Sequence, residues 1–132
     1  MKYQEITSKI IKCAYTVHKN LGFGFLENVY QNALMIELKN ADLYAEKEKK
    51  IQVLYNGQIV GDYVADIVVE KKIICELKST KEINPAHEAQ LVNYLKATGL
   101  EVGLLINFGE QVRVKRKIFD KHGKPLSFLS ID

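Results

Sequence analysis

The sequence predicts an α/β sandwich, a mixed central β-sheet flanked by helices, in the order two helices, three strands, one helix and two strands. Three observations carry this expectation. Apolar residues recur at helical spacing through the N-terminal segment. From Ile51 onward the pattern changes to alternation and short apolar runs broken by tight-turn residues. A framed helix then separates the third strand from a continuous apolar run at Val102 to Phe108.

Ile6, Ile10, Cys13, Ala14, Val17 and Leu21 form one stripe, so a first helix is expected from Gln4 to Lys19, ended by Leu21-Gly22-Phe23-Gly24-Phe25. Leu26, Tyr30, Ala33, Leu34 and Leu38 form the stripe of a second helix from Leu26 to Ala41. Lys47, Lys49 and Lys50 with Glu46 and Glu48 read as a solvated loop. Ile51, Val53 and Tyr55 alternate up to Asn56-Gly57, a dipeptide suited to a two-residue hairpin turn, and Gln58 to Glu70 is the return strand. Lys71-Lys72 reads as the next turn, before a strand from Ile73 to Lys78. Asn84 as cap, Pro85 at the first helical position and Gly99 as stop place the third helix over Pro85 to Thr98. Val102 to Phe108 is a central strand, and Gln111 to Phe119, alternating apolar with basic residues, is a strand nearer an edge. Asp120 to Asp132 reads as a polar turn and tail.

The length of 132 residues fits one domain, residues 1–132, with a substantial core. A composition 47% hydrophobic and 27% charged is that of a globular protein. The net charge of +3 permits an anionic partner without requiring one. No segment has the length and apolarity of a membrane span, and Met1-Lys2-Tyr3-Gln4-Glu5 lacks the apolar stretch of a signal peptide, so a cytoplasmic location and no membrane partner are expected. Cys13 and Cys75 lie on apolar stripes and read as reduced core residues.

The chemistry-bearing feature is Asp66, followed ten residues later by Glu76-Leu77-Lys78 on the next strand. Side chains at i and i+2 of a strand share a face, so Glu76 and Lys78 point together while Cys75 and Leu77 point to the other layer. Hydrolysis of a phosphodiester builds negative charge on the scissile phosphate and the leaving oxygen. A carboxylate-bound divalent cation can acidify water and offset that charge, and a lysine can orient the water or neutralise the transition state. Glu and Lys two apart also occur as an ordinary solvated face. Here, however, both acids interrupt apolar runs, where an ionised group must be paired or hold a metal.

Other residues admit two readings. Glu27, in the first turn of the second helix, shares a face with Tyr30 and is favoured there by the helix dipole alone. His87, Gln90, Leu91 and Tyr94 form a stripe on the third helix. Gln90 and Tyr94 either touch a nucleotide beside the metal or are, respectively, a boundary residue and a core aromatic, and His87 is likewise a boundary candidate. Arg113, Lys115 and Lys117 share a face of the last strand and could meet a phosphate backbone or simply guard a sheet edge. His18, at the end of the first helix, reads as structural.

Taken together, Gly24…Glu27…Tyr30, Gly61-Asp62-Tyr63…Asp66, Glu76-Leu77-Lys78 and Gln90…Tyr94 resemble the PD-(D/E)XK nuclease superfamily, and more narrowly its GxxExxY family. The resemblance covers about Ile6 to Phe119. It implies a restriction-endonuclease-like fold of order ααβββαββ and a Mg2+- or Mn2+-dependent nuclease acting on DNA. Asp66, Glu76, Glu27 and the Leu77 backbone carbonyl would be metal ligands, with Lys78 the catalytic lysine. Gln90 and Tyr94 look like the glutamine and tyrosine motif of recombination-type exonuclease domains; with Tyr30, His87, Arg113 and Lys115 they make up the expected substrate contacts. Ala65 stands where the superfamily's name has proline, and Phe23 where similar sequences often have proline between the glycines; neither removes a ligand. An alternative of another class is a nuclease-like module that binds nucleic acid or a protein without turnover. A domain this small either dimerises, acts without sequence preference or relies on a partner protein.

Overall fold

Helix α1 (Gln4–Leu21) buries Ile10, Cys13, Ala14 and Val17, the stripe expected from their spacing. Gly22 ends it: its φ of +73° is open to glycine, and its N–H donates to the His18 carbonyl at 2.8 Å. Helix α2 (Glu27–Asn40) buries Tyr30, Gln31, Leu34 and Leu38. The structure, a computed structural model, describes residues 2–120; the tail expected over 121–132 lies outside the described residues.

Strands β1 (Ala45–Tyr55), β2 (Gln58–Val69) and β3 (Ile73–Lys78) precede α3 (Pro85–Thr98), and β4 (Val102–Phe108) and β5 (Val112–Ile118) follow it. They form one five-stranded sheet in the order β1-β2-β3-β4-β5. Only β3 and β4 run parallel, because α3 carries the chain back between them. The mixed α/β architecture and the element order are those expected.

Two apolar cores share this sheet. On one face α1 and α2 cover Ile67, Val69, Ile73, Cys75, Leu77, Leu104 and Ile106. On the other, Leu91, Tyr94 and Leu95 of α3 pack on Ile51, Ala65, Val68, Ile74 and Leu105. A Cβ on Gly103 would lie 2.7 Å from Leu91 Cδ1, so glycine sets how closely α3 approaches β4. Cys13 and Cys75 are buried, free thiols.

Two expectations need correction. The charged run read as a loop is the first half of β1, paired with β2 from Ala45↔Val69 onward. Lysines suit it because β1 is an edge strand. The turn before β3 centres on Glu70-Lys71, one residue earlier than read: both have φ near +55°, and the Lys72 N–H donates to the Val69 carbonyl. Asn56 and Gly57 do form the hairpin turn, each with positive φ.

The β1–β2 hairpin outreaches the sheet. β2 pairs with β1 along its length but with β3 only over Ile67 to Val69. Leu54, Tyr55, Ile59 and Val60, near the tip, are exposed.

Candidate active site

The site forms where β2 and β3 part. Their ladder ends at Ile67↔Cys75, and beyond it each strand's acidic residue satisfies the other strand's backbone. The Leu77 N–H donates to Asp66 Oδ2 at 2.7 Å, and the Asp66 N–H donates to Glu76 Oε1 at 3.3 Å. The carboxyls thus replace the backbone pairing that a continued ladder would provide. From α2, the buried Gln31 donates through Nε2 to the Asp66 carbonyl at 2.9 Å, fixing this point of β2 from the other layer.

Glu76 is only 6% exposed. Burial, then the adjacent Asp66 charge and a hydrogen bond between the two side chains, pushes its carboxyl up to about 9, against a weaker opposing pull from Lys78. Tyr94 completes this side: burial first, then the charges of Glu76 and Asp66, pushes its hydroxyl up to about 12. Cys75, one residue before Glu76, packs in the opposite core, and burial pushes its thiol up as well.

Asp66 also reaches the α2 side. With Glu27, Asn28, Gln31, Glu48 and Leu77 it lines a cavity of about 280 Å³. Glu27, the first residue of α2, is exposed there. Asp66 thus meets Glu76 on one side and Glu27 on the other. Among the described residues, no three His, Cys, Asp or Glu side chains converge as a ready-made metal cage. The groups at hand are carboxylate oxygens, the donor type that hard divalent cations take. The donor set fits a magnesium- or manganese-type ion.

The remaining expected contacts divide. Gln90 and Tyr94 line a groove between α3 and the hairpin. Tyr30 does not face substrate: it is fully buried and stacks on Phe108 at 4.6 Å. Its hydroxyl donates to the Gly22 carbonyl at 2.7 Å, so it holds the loop that leads to Glu27. His87 is not among the groove's lining residues, and its Nδ1 is buried without a hydrogen-bond partner among the described residues. Arg113 and Lys115 are exposed, in register through Asn107 and Leu105 with Lys78 and Glu76, two strands or roughly 10 Å away. Lys117 is instead buried in an ion pair with Glu88 at 2.9 Å. His18 donates from Nε2 to the Gly109 carbonyl at 2.8 Å.

Three residues escaped the sequence reading. Gln31 lies on the stripe of Leu34 and Leu38, a polar member of a buried face. Asn107, 1% exposed within an apolar strand, accepts from the Thr80 N–H and donates to the Thr80 carbonyl, both at 2.9 Å, and so clamps the segment after Lys78. Tyr63 faces Tyr94 across the groove, their ring centroids 5.6 Å apart.

A sheet of this order, with an acid on each of two parting strands and a lysine two residues past the second, defines a restriction-endonuclease-like domain. The chain belongs to the PD-(D/E)XK nuclease superfamily, whose family model matches residues 4–119. No curated protein matches it. Among solved structures it is similar in fold to the crystal structure of SSO0001, at 20% identity and a TM-score of 0.55. That match covers 79% of this chain, which spans 54% of the other. No helix among the described residues is long and apolar enough to cross a membrane.

Proposed function

We propose that the chain is a divalent-metal-dependent nuclease domain of the GxxExxY type that hydrolyses phosphodiester bonds in DNA. The observation that carries this reading is the Asp66–Glu76 pair, Glu76 buried and Asp66 half-buried, each accepting a backbone N–H from the other's strand, with Lys78 on the Glu76 face. Asp66 and Glu76 hold the ion, with the Leu77 carbonyl and Glu27 as further ligands. When bound, Mg2+ or Mn2+ supplies a Lewis acid that acidifies water and offsets charge on the phosphate. Lys78 orients the attacking water and stabilises charge on the phosphoryl oxygens. Gln31 and Asn107 touch no substrate; they position Asp66 and the segment beyond Lys78.

Incubation of end-labelled linear and closed circular DNA with the protein and Mg2+ or Mn2+ tests the reading. Cleavage is expected, and Glu76→Ala or Lys78→Ala should abolish it. Activity retained in Lys78→Ala would overturn the lysine's role. The absence of a three-acid cage keeps one second reading in play, a binding module without turnover. Tight binding of nucleic acid with no metal-dependent cleavage would select it.

A further inference from the structure

The groove between the β1–β2 hairpin and α3 has a volume of about 690 Å³, within the range of sites that take a small molecule or one unit of a polymer. Its lining is chemically selective. Tyr63, 46% exposed, presents its ring, backed by the largely buried Tyr94, and alanines on α3 keep that wall low. Gln52, Gln90 and Asn93 add three primary amides, each offering both a donor and an acceptor. Among the described residues Lys96 is the one charged lining residue, and no carboxylate is part of the lining. An aromatic face, amides and a cation complement a heterocyclic base on an anionic backbone. They suit an acidic peptide or an aliphatic helix poorly.

The groove lies near the carboxylate pair: Tyr94 lines it, and the charges of Glu76 and Asp66 act on the Tyr94 hydroxyl. A base-paired duplex keeps its bases stacked inward and cannot lay one against Tyr63, whereas an unpaired strand can.

From this we infer that the groove receives an unpaired base of a single-stranded nucleic acid, next to the place where Asp66 and Glu76 would hold the cation, so that the substrate class is single strands or single-stranded ends. The inference rests on the nuclease reading only for the position of the cation; binding itself needs no turnover.

The test is equilibrium binding in EDTA, so that no cutting intervenes, of fluorescein-labelled dT and rU 12-mers and of a duplex of equal length. The wild type should bind at least one single strand more tightly than the duplex. Tyr63→Ala should weaken that binding by roughly 5- to 100-fold, the range for loss of one base–aromatic stack, and Tyr63→Phe, which keeps the ring, should restore it. Gln52→Ala, on an exposed strand position, gives a second and milder loss should Tyr63→Ala fold poorly. Equal affinity for single strand and duplex, or Tyr63→Ala binding as the wild type does, would overturn the inference. A protein that binds single strands through Tyr63 yet cuts nothing keeps the groove and refutes the nuclease. One that cuts with Tyr63→Ala binding unaltered does the reverse.

Discussion

At the scale of residues, the governing fact is that two carboxyls occupy places where backbone pairing would otherwise continue. Glu76 is a group whose proton affinity rises on folding, from its ordinary value of 4.5 to about 9, because it is buried beside the Asp66 charge. Between those values the folded metal-free protein holds a proton that the unfolded chain has released. Its contribution to stability is therefore full below about pH 4.5 and is lost as pH rises toward 9, with a slope of at most about 1.4 kcal/mol per pH unit. Urea melts of the metal-free protein from pH 5 to 9 should show that decline, and Glu76→Gln, which cannot ionise, should flatten it. At pH 8, Mg2+ should raise the wild-type melting temperature and leave that of Glu76→Gln unmoved. Asp66, Glu76 and Lys78 were legible in the sequence because two acids broke apolar runs. Tyr30 was legible as a member of the α2 stripe; that its hydroxyl turns to the Gly22 carbonyl and not to substrate was not, because tyrosine suits a wet face and a core equally.

At the scale of elements, helices were the most legible, since stripe, cap and stop agree: Asn84 Oδ1 accepts from the Ala86 N–H at 2.8 Å, and Gly99 closes α3 with φ of +75°. β1 was legible only in its second half. Its first half alternates no apolar residues because, as an edge strand, it has little core to cover there. Close approach of elements was likewise invisible, being a property of pairs. Gly103→Ala should drive a methyl into the fully buried Leu91 and destabilise the fold by about 1–3 kcal/mol, read as a lower urea midpoint. Asn107→Ala should cost about 1–3 kcal/mol by leaving the Thr80 backbone groups unpaired, again read from the urea midpoint.

At the scale of the whole molecule, stability is unevenly distributed. β4 is buried at every position and lies between two strands, whereas the hairpin from Gln52 to Val60 is almost wholly exposed and leans on no third strand. Amide hydrogen exchange should therefore be slowest in β4 and faster by orders of magnitude across the hairpin tip. Equal protection in both would contradict this picture. The order of elements along the chain and the mixed character of the sheet followed from the sequence; how far the hairpin overhangs did not, because β3 is shorter than β2 and nothing in β2 itself records where its partner stops.

The parting of β2 and β3 has a consequence for descent. On the proposed nuclease reading, removing Asp66 or Glu76 opens a seam as well as silencing the reaction, whereas Lys78 contributes neither of the hydrogen bonds that close it. A lineage of such domains that abandons its chemistry yet keeps its shape has a cheap route through the lysine and an expensive one through the acids. Silent descendants should therefore carry the two carboxylates as fossils long after the lysine has gone.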